Sequence, residues 1–292
     1  MSYNVDNAII MAAGLSSRFA PISYERPKSL ITVKGEVLIE RQIRQLKEAG
    51  IDEIIVVTGY KAELFEYLKE KYGVILVKNE EYLARNNNSS LYVARQYLKN
   101  TYVCSSDNYF SENPFEKTVE DSYYAVLFSK EWTNEWCVEE DERGYISKAV
   151  IGGENAWYMN GHTFWSERFS KKFVEILEEI YDRPETAGKL WESIYLEHIE
   201  ELPMVPRKYS SHMIYEFDSL DELREFDRTY QKDSGSPIMQ EICRTLNCKE
   251  GEIVQILPEK DENGETAGMS FLAPSGKYEY KYKTGKLQIC TM

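Results

Sequence analysis

Along the first 110 residues, short apolar runs alternate with amphipathic stretches. The run Ala8–Ala13 has no polar position, as expected of a strand buried on both faces. Leu38, Ile39, Gln42, Ile43, Leu46 and Ala49 then fall on a helical stripe that stops at Gly50, where a glycine C-cap would end the helix. Ile54–Thr58 predicts the next strand, Leu64, Phe65, Leu68 and Tyr72 a further helix, and Val74–Val77 a third strand. Ser90–Leu98 reads as helical, and Thr101–Ser105 as a fourth strand running into Ser106-Asp107-Asn108. Strands alternating with helices imply right-handed crossovers and an α/β fold whose mostly parallel sheet is covered on both sides.

From Tyr123 to Trp165 the pattern changes to short, aromatic, β-prone segments. Phe169, Phe173, Ile176, Leu177 and Ile180 restore a helical stripe, and a second helix carries Trp191, Ile194, Tyr195 and His198. Tyr215-Glu216-Phe217 reads as a strand end. Ser219-Leu220-Asp221-Glu222 is a capping-box pattern opening a helix through Phe226, which places Asp218 where strand hands over to helix. The polar stretch 231–237 is the best linker in the chain. Beyond it come a helix, Ile238–Leu246, and three short strands punctuated by Asn263-Gly264, Ser275-Gly276 and Thr284-Gly285. Alternation in Lys277–Tyr282 puts three tyrosines on one face, as in a half-buried hairpin. These boundaries divide the chain into a main domain, 1–232, and a small α+β appendage, 237–292.

Composition narrows the function classes. The 292 residues carry 49 Asp and Glu against 35 Lys and Arg, a formal net charge of -14. Such a field repels a phosphate backbone, which argues against nucleic-acid and anionic-membrane partners. Aromatics at 13% are too abundant for a disordered acidic chain. No stretch approaches the ~20 apolar residues of a membrane span, and residues 1–7 lack the basic and apolar regions of a signal peptide, so a cytoplasmic location is expected. Five scattered cysteines without a C-x-x-C pair, and three separated histidines, argue against a disulfide framework or a zinc site.

The densest chemical signal is Met11-Ala12-Ala13-Gly14-Leu15-Ser16-Ser17-Arg18, followed by Arg26-Pro27-Lys28-Ser29-Leu30. A small-residue loop leaving a strand lets backbone N–H groups of Ala12, Ala13, Gly14 and Ser17 approach a triphosphate, with no β-carbon in the way at Gly14. Arg18 offers a planar fork to phosphate oxygens, and Lys28 a mobile point charge to the reacting phosphoryl group.

This loop, with its P-K-x-L partner, resembles the signature of the sugar-nucleotide-type nucleotidyltransferases, which join an NTP to a phosphorylated metabolite and release pyrophosphate. The resemblance continues to about residue 230. It is specifically to the bacterial CTP:phosphocholine cytidylyltransferases, through Tyr82, Asn86-Asn87, Ser90-Leu91-Tyr92, Ser106-Asp107-Asn108-Tyr109, Thr133-Asn134-Glu135-Trp136, Phe164-Trp165 and Tyr215-Glu216-Phe217-Asp218-Ser219. The family's G-S-R is Ser16-Ser17-Arg18 here, a small-for-small change. The resemblance implies a Rossmann-like nucleotidyltransferase fold, CTP and phosphocholine as substrates, Mg2+ as cofactor, and Asp107 and Asp218 as its ligands. One or two carboxylates with phosphate and water suit that ion. Glu216 alternates with Asp218 and is a candidate for metal-bound water, the cationic substrate or plain solvent.

All five tryptophans lie between residues 132 and 191, the segment that covers the acceptor in such enzymes. A quaternary ammonium donates no hydrogen bond and is held by aromatic faces and a nearby carboxylate. Trp136 beside Glu135, and Trp191 beside Glu192, are the expected pairs, with Leu190 standing where the family has an aromatic; Trp157 and Trp165 read as core. The run Asn86–Ser90 is either a helix cap and turn or a loop in which Asn87 and Ser90 reach cytosine and ribose. His162 and His198 read as packing residues. No general base is required, because a phosphate monoester, with a second pKa of roughly 6, is already an anionic nucleophile.

Residues 237–292 resemble the opening of a choline-kinase-like N-lobe that stops before any catalytic Asp or metal loop, and would serve packing, dimerisation or regulation; an unrelated α+β appendage is the alternative. The rival acceptors are phosphoethanolamine, 2-aminoethylphosphonate and a sugar 1-phosphate. The rival from another class is a nucleotide-sensing scaffold. The sequence leaves a homo-oligomer open.

Overall fold

The computed structural model describes residues 2–262 and 266–290. Contacts group the chain into two units, Met1–Gly14 with Leu38–Glu216, and Leu15–Val37 with Phe217–Met292. The polar stretch 231–237 thus lies inside the second unit, which also takes up the segment following Gly14.

The first unit is built on a mixed sheet, nine-stranded among the described residues. Its parallel heart is Ile75–Lys78, Glu53–Thr58, Asn7–Ala12 and Thr101–Ser105, in that spatial order. The first strand therefore lies between the second and the fourth, and the order reverses beside it. Ligands of open α/β sheets bind at this reversal, beyond the carboxyl ends of the strands. Here those ends are Ala12-Ala13-Gly14 and Ser105-Ser106-Asp107. The helix Leu38–Glu48 follows its expected stripe, and Gly50 takes the left-handed conformation (φ +79°) expected of a C-cap.

The β-prone stretch is longer-stranded than expected. Tyr123–Ser129, Thr133–Glu140, Ile146–Gly153 and Ala156–Trp165 run 7 to 10 residues and extend the parallel heart through Ala156–Trp165, antiparallel to Thr101–Ser105. A bulge interrupts Ala156–Trp165, with Gly161 at φ +91°; such bulges re-aim side chains near sites. The helices Glu167–Ile180 and Trp191–Glu197 pack Phe169, Phe173, Trp191, Ile194 and Tyr195 with Trp165 into the main core. The expected helix 64–72 is broken into two short pieces, Ala62–Phe65 and Tyr67–Tyr72.

His162 is a packing residue, as its isolation in the sequence suggested. It is buried among Phe110, Phe115 and Tyr123, with the Tyr123 and Tyr209 hydroxyls 3.1 and 3.4 Å from Nε2. Burial, assisted by the Arg207 charge, lowers its pKa to about 3. The folded imidazole is neutral, whereas the unfolded one titrates near 6.5. Its contribution to stability is therefore full above pH 6.5 and is lost as pH falls toward 3. Each pH step between those two values is worth about 1.4 kcal/mol, so several kcal/mol should go over that window. Urea unfolding from pH 7 to 4 should show a markedly shallower acid limb in His162→Gln; parallel profiles would contradict this.

In the second unit, Ser219 caps the helix Leu220–Phe226 by accepting from the Glu222 N–H, while Glu222 accepts from the Asp218 N–H. Ser236 caps Pro237–Leu246 through the Met239 N–H. A four-stranded antiparallel sheet follows, Val254–Lys260, Thr266–Ala273, Gly276–Lys281 and Lys286–Ile289, one strand more than expected. The expected Asn263-Gly264 turn lies outside the described residues. Tyr280 and Tyr282 are buried, and Tyr278 stacks on Phe271. No described helix is long and apolar enough to cross a membrane.

Candidate active site

In the first unit, the loop Ala12-Ala13-Gly14 leaves the central strand with open space where a Gly14 β-carbon would stand. That is the room a closely approaching phosphate needs. Gly59, at the end of the neighbouring strand, is closed in: a β-carbon there would come within 2.9 Å of the Ala13 carbonyl and 2.8 Å of the Tyr82 ring. The Tyr60 N–H donates to that carbonyl (3.1 Å). Gly59 therefore helps fix the loop, and the sequence offered only a glycine after a strand to mark it.

Asp107 is half-buried in the turn after Thr101–Ser105. The turn is held by Gln42, one of two buried amides on the inner face of Leu38–Glu48, whose Nε2 donates to the Ser105 and Asn108 carbonyls (2.9 and 3.0 Å). The short strand Ile214–Glu216 pairs antiparallel with Asn108–Phe110, which sets Glu216 opposite Asn108. Long hydrogen bonds from Asn108 and Asn160 (3.5 and 3.4 Å) reach its Oε2.

The acceptor-side residues divide. Trp191, expected to face the substrate, is 1% exposed, stacked on Tyr124 (5.6 Å) and edge-on to Trp165 (5.1 Å). It is a core residue. The reason is the aromatic cluster it completes with Tyr124, Trp165 and Phe173. The Glu192 carboxylate accepts from Asn87 Nδ2 (3.1 Å) and the Tyr124 hydroxyl (3.3 Å). Its pKa is raised by burial, which outweighs the lowering by those two hydrogen bonds. Asn87 Oδ1 also accepts from the Trp191 N–H (2.7 Å), so its side chain ties helix Trp191–Glu197 in place. Ser90, expected on the nucleotide, is 3% exposed and accepts from Asn79 Nδ2 (3.2 Å). Both residues therefore serve protein contacts in this structure.

Trp136 is half-buried against the core, and Glu135 beside it is exposed, with a register shift between Thr133 and Trp136 breaking the simple alternation. Charge converges nearby. Burial raises the Tyr124 pKa first, and the fields of Glu192, Glu216 and Glu135 raise it further. Tyr158, opposite Cys137, is likewise raised by burial and then by Glu135 and Glu216. Glu192, Glu216 and Glu135 thus act on Tyr124, and Glu135 and Glu216 also on Tyr158, which pairs with Cys137, the residue after Trp136.

In the second unit, the signature loop turns through Ser16, which takes the left-handed conformation (φ 47°, ψ 42°) ahead of the single turn Ser17–Phe19. The small-for-small change at this position is therefore strained, because L-residues other than glycine resist that conformation. Ser16→Gly should keep the unfolding free energy in urea, whereas the β-branched Ser16→Val should fall about 1–2 kcal/mol below it; equal values would contradict the assignment. Arg18 is exposed and its Nη1 contacts Asp218 Oδ2 at 2.7 Å, with side-chain exposures of 72% and 35%. An exposed pair of this kind is worth about 0–1 kcal/mol, so it holds neither partner firmly. Lys28, expected to be a mobile charge, is instead only 4% exposed, with Nζ 5.8 Å from the centre of the Phe19 ring. Burial pre-organises the ammonium.

Asp107 and Asp218 fall in different units. Among the described residues no group of three or more His, Cys, Asp or Glu side chains forms a metal cage. Mg2+ does not need one, since it takes one or two carboxylates and completes its shell with phosphate and water. Each of the two aspartates, taken by itself, offers hard oxygen donors of the kind that ion takes.

The MobA-like NTP transferase domain matches residues 8–115. The choline-phosphate cytidylyltransferase of Streptococcus pneumoniae is 34% identical over 227 residues, 78% of this chain and 99% of its own length. The 2-aminoethylphosphonate cytidylyltransferase of Lancefieldella rimae is 37% identical over 229 residues, 77% of this chain and 93% of its own length. The solved structure of CTP:phosphocholine cytidylyltransferase from Streptococcus pneumoniae superposes with a TM-score of 0.74 at 35% identity, over 78% of this chain and 99% of that one. The expected nucleotidyltransferase fold is thereby established, and with this identity and coverage the chain belongs to the MobA-like nucleotidyltransferases, as a cytidylyltransferase of phosphorylated compounds.

Proposed function

We propose that this chain transfers the cytidylyl group of CTP to phosphocholine, giving CDP-choline and pyrophosphate. The observation that supports the acceptor reading is the set of carboxylates around Tyr124: Glu192 accepts from its hydroxyl (3.3 Å), Glu216 and Glu135 add their negative fields, and Trp136 packs against the same core cluster. A fixed positive headgroup satisfies those carboxylates, and aromatic faces take its methyl groups without requiring a hydrogen-bond donor. A sugar 1-phosphate has no positive charge to offer there.

In this reading the loop Ala12-Ala13-Gly14 and Ser17 receive the triphosphate on backbone N–H groups, and Arg18 leaves Asp218 to pair with phosphate oxygens. The pre-set ammonium of Lys28 meets the negative charge that builds on the reacting phosphate. Asp107 and Asp218 are the residues that would hold Mg2+, which would supply further neutralisation of phosphate charge. An oxygen of the acceptor phosphate attacks the α-phosphorus in line, forming the new P–O bond as the bond to pyrophosphate breaks. The nucleophile is already anionic, so the protein contributes alignment and charge neutralisation rather than a base.

A second reading, 2-aminoethylphosphonate as acceptor, is favoured by the 37% identity to the Lancefieldella rimae protein. Its primary ammonium would donate hydrogen bonds to the same carboxylates and depend less on the tryptophan. Trp136→Ala should therefore lower the preference for phosphocholine over 2-aminoethylphosphonate about three- to thirtyfold, the range of a cation–π contact. An equal loss with both acceptors would remove Trp136 from headgroup recognition, and a wild-type preference for 2-aminoethylphosphonate would establish the second reading.

A further inference from the structure

The segment Leu15–Val37 carries Arg18 and Lys28 but little structure able to hold itself. It consists of single turns at Ser17–Phe19, Ile22–Glu25 and Lys28–Leu30 and a two-residue hairpin pairing. Its internal backbone bonds are local, such as Tyr24 N–H to Pro21 O and Ile31 N–H to Lys28 O. Isolated turns of this length do not persist in water.

In the later part of the segment, the Tyr230 hydroxyl donates to the Thr32 carbonyl and the Lys34 N–H to Asp227 (both 2.7 Å); the part leading to Lys28 is supported from the far end of the chain. The Tyr24 ring stacks on Tyr282, just past the strand Gly276–Lys281, with centroids 4.0 Å apart and planes at 19°. Glu25 Oε1 accepts from the Ile238 N–H at the start of the helix Pro237–Leu246 (3.0 Å). Arg26 Nη2 donates to the Gly235 carbonyl (2.8 Å). Three consecutive residues, ending two before Lys28, are thus held at positions 282, 238 and 235. The supporting side is braced in turn: the Tyr280 hydroxyl donates to Glu241 (3.1 Å), and buried Arg224 donates to the Glu250 and Ile253 carbonyls. The Streptococcus pneumoniae relative is matched over 99% of its length by 227 residues of this chain, so about a fifth of the present chain has no counterpart in it.

We propose that the C-terminal helix and sheet act as a brace for the phosphate-binding loop, with Tyr282 the positioning residue that holds Tyr24-Glu25-Arg26 and, through them, Lys28. The inference rests on the reading of Arg18 and Lys28 as triphosphate ligands. The described residues of 237–290 then contribute to nucleotide affinity through this segment rather than as nucleotide ligands.

The test uses the full chain with Tyr282→Ala, Tyr282→Phe and Tyr24→Ala. Tyr282→Ala should raise the KM for CTP about three- to tenfold, the worth of an aromatic stack, and leave the acceptor KM unchanged; Tyr282→Phe, which keeps the ring, should restore it. In nucleotide-free protein, amide exchange over residues 15–37 should quicken in Tyr282→Ala and not in Tyr282→Phe, while exchange in Asn7–Ala12 stays as in wild type. Tyr24→Ala should reproduce both effects, and the double variant should add nothing to either single one. Unchanged CTP KM and loop exchange, or fully additive effects, would overturn the brace. Because exchange is read without nucleotide, quickened exchange in a protein that binds no CTP would refute the phosphate-loop reading and not the packing.

Discussion

Replacing Asp107 with alanine is expected to lower pyrophosphate release by about a hundredfold or more, with little change in unfolding midpoint. The fold should survive because the turn carrying Asp107 is tied by Gln42 Nε2 to the Ser105 and Asn108 carbonyls, bonds that do not use the Asp107 side chain. Activity should fall because the carboxylate stands at the sheet's switch point, where a cation must offset triphosphate charge. Asp107→Asn keeps the shape and removes the charge, so it should be nearly as impaired. Near-normal turnover in Asp107→Ala would remove this residue from the metal set.

Lys28→Met should be comparably severe, with kcat falling about 10²- to 10³-fold. Methionine fills the volume of the buried stem but carries no charge. The variant should therefore remain folded, as its circular dichroism and urea midpoint would show. Lys28→Arg should fail to rescue, because a planar guanidinium needs more room than a 4%-exposed site built around a single amine provides. Retention of activity within a few fold in Lys28→Met would mean that the reacting phosphate is neutralised elsewhere.

Three strands of the parallel heart were legible in the sequence because they are largely buried on both faces, so Ala8–Ala13, Ile54–Thr58 and Thr101–Ser105 are runs without a charged residue. The motif residues were legible for a different reason: small residues, a guanidinium and a Pro-Lys at close spacing have few structural uses together. What stayed hidden depends on contacts distant in sequence. Gln42 reads as an interruption of an apolar stripe until the turn it ties is seen 63 to 66 residues away. Trp191 and Glu192 look like one aromatic-acid pair for a ligand, yet both are taken up by Tyr124, a residue 67 to 68 positions away: the indole stacks on its ring in the core and the carboxylate accepts from its hydroxyl. The stack between Tyr24 and Tyr282 spans nearly the whole chain, and no local pattern announces it. The same distance effect explains why the polar stretch 231–237 resembled a boundary: it is a surface turn within a unit whose other part is Leu15–Val37.

The central claim is a cytidylyltransferase whose acceptor carries a positive headgroup. It is tested most directly by pyrophosphate release from the full chain with Mg2+, crossing CTP, UTP, ATP and GTP with phosphocholine, phosphoethanolamine, 2-aminoethylphosphonate and glucose 1-phosphate. The expected result is release with CTP and the cationic acceptors, phosphocholine fastest, and little with the sugar phosphate. Release that is fastest with glucose 1-phosphate, or absent with every pair, would contradict the account.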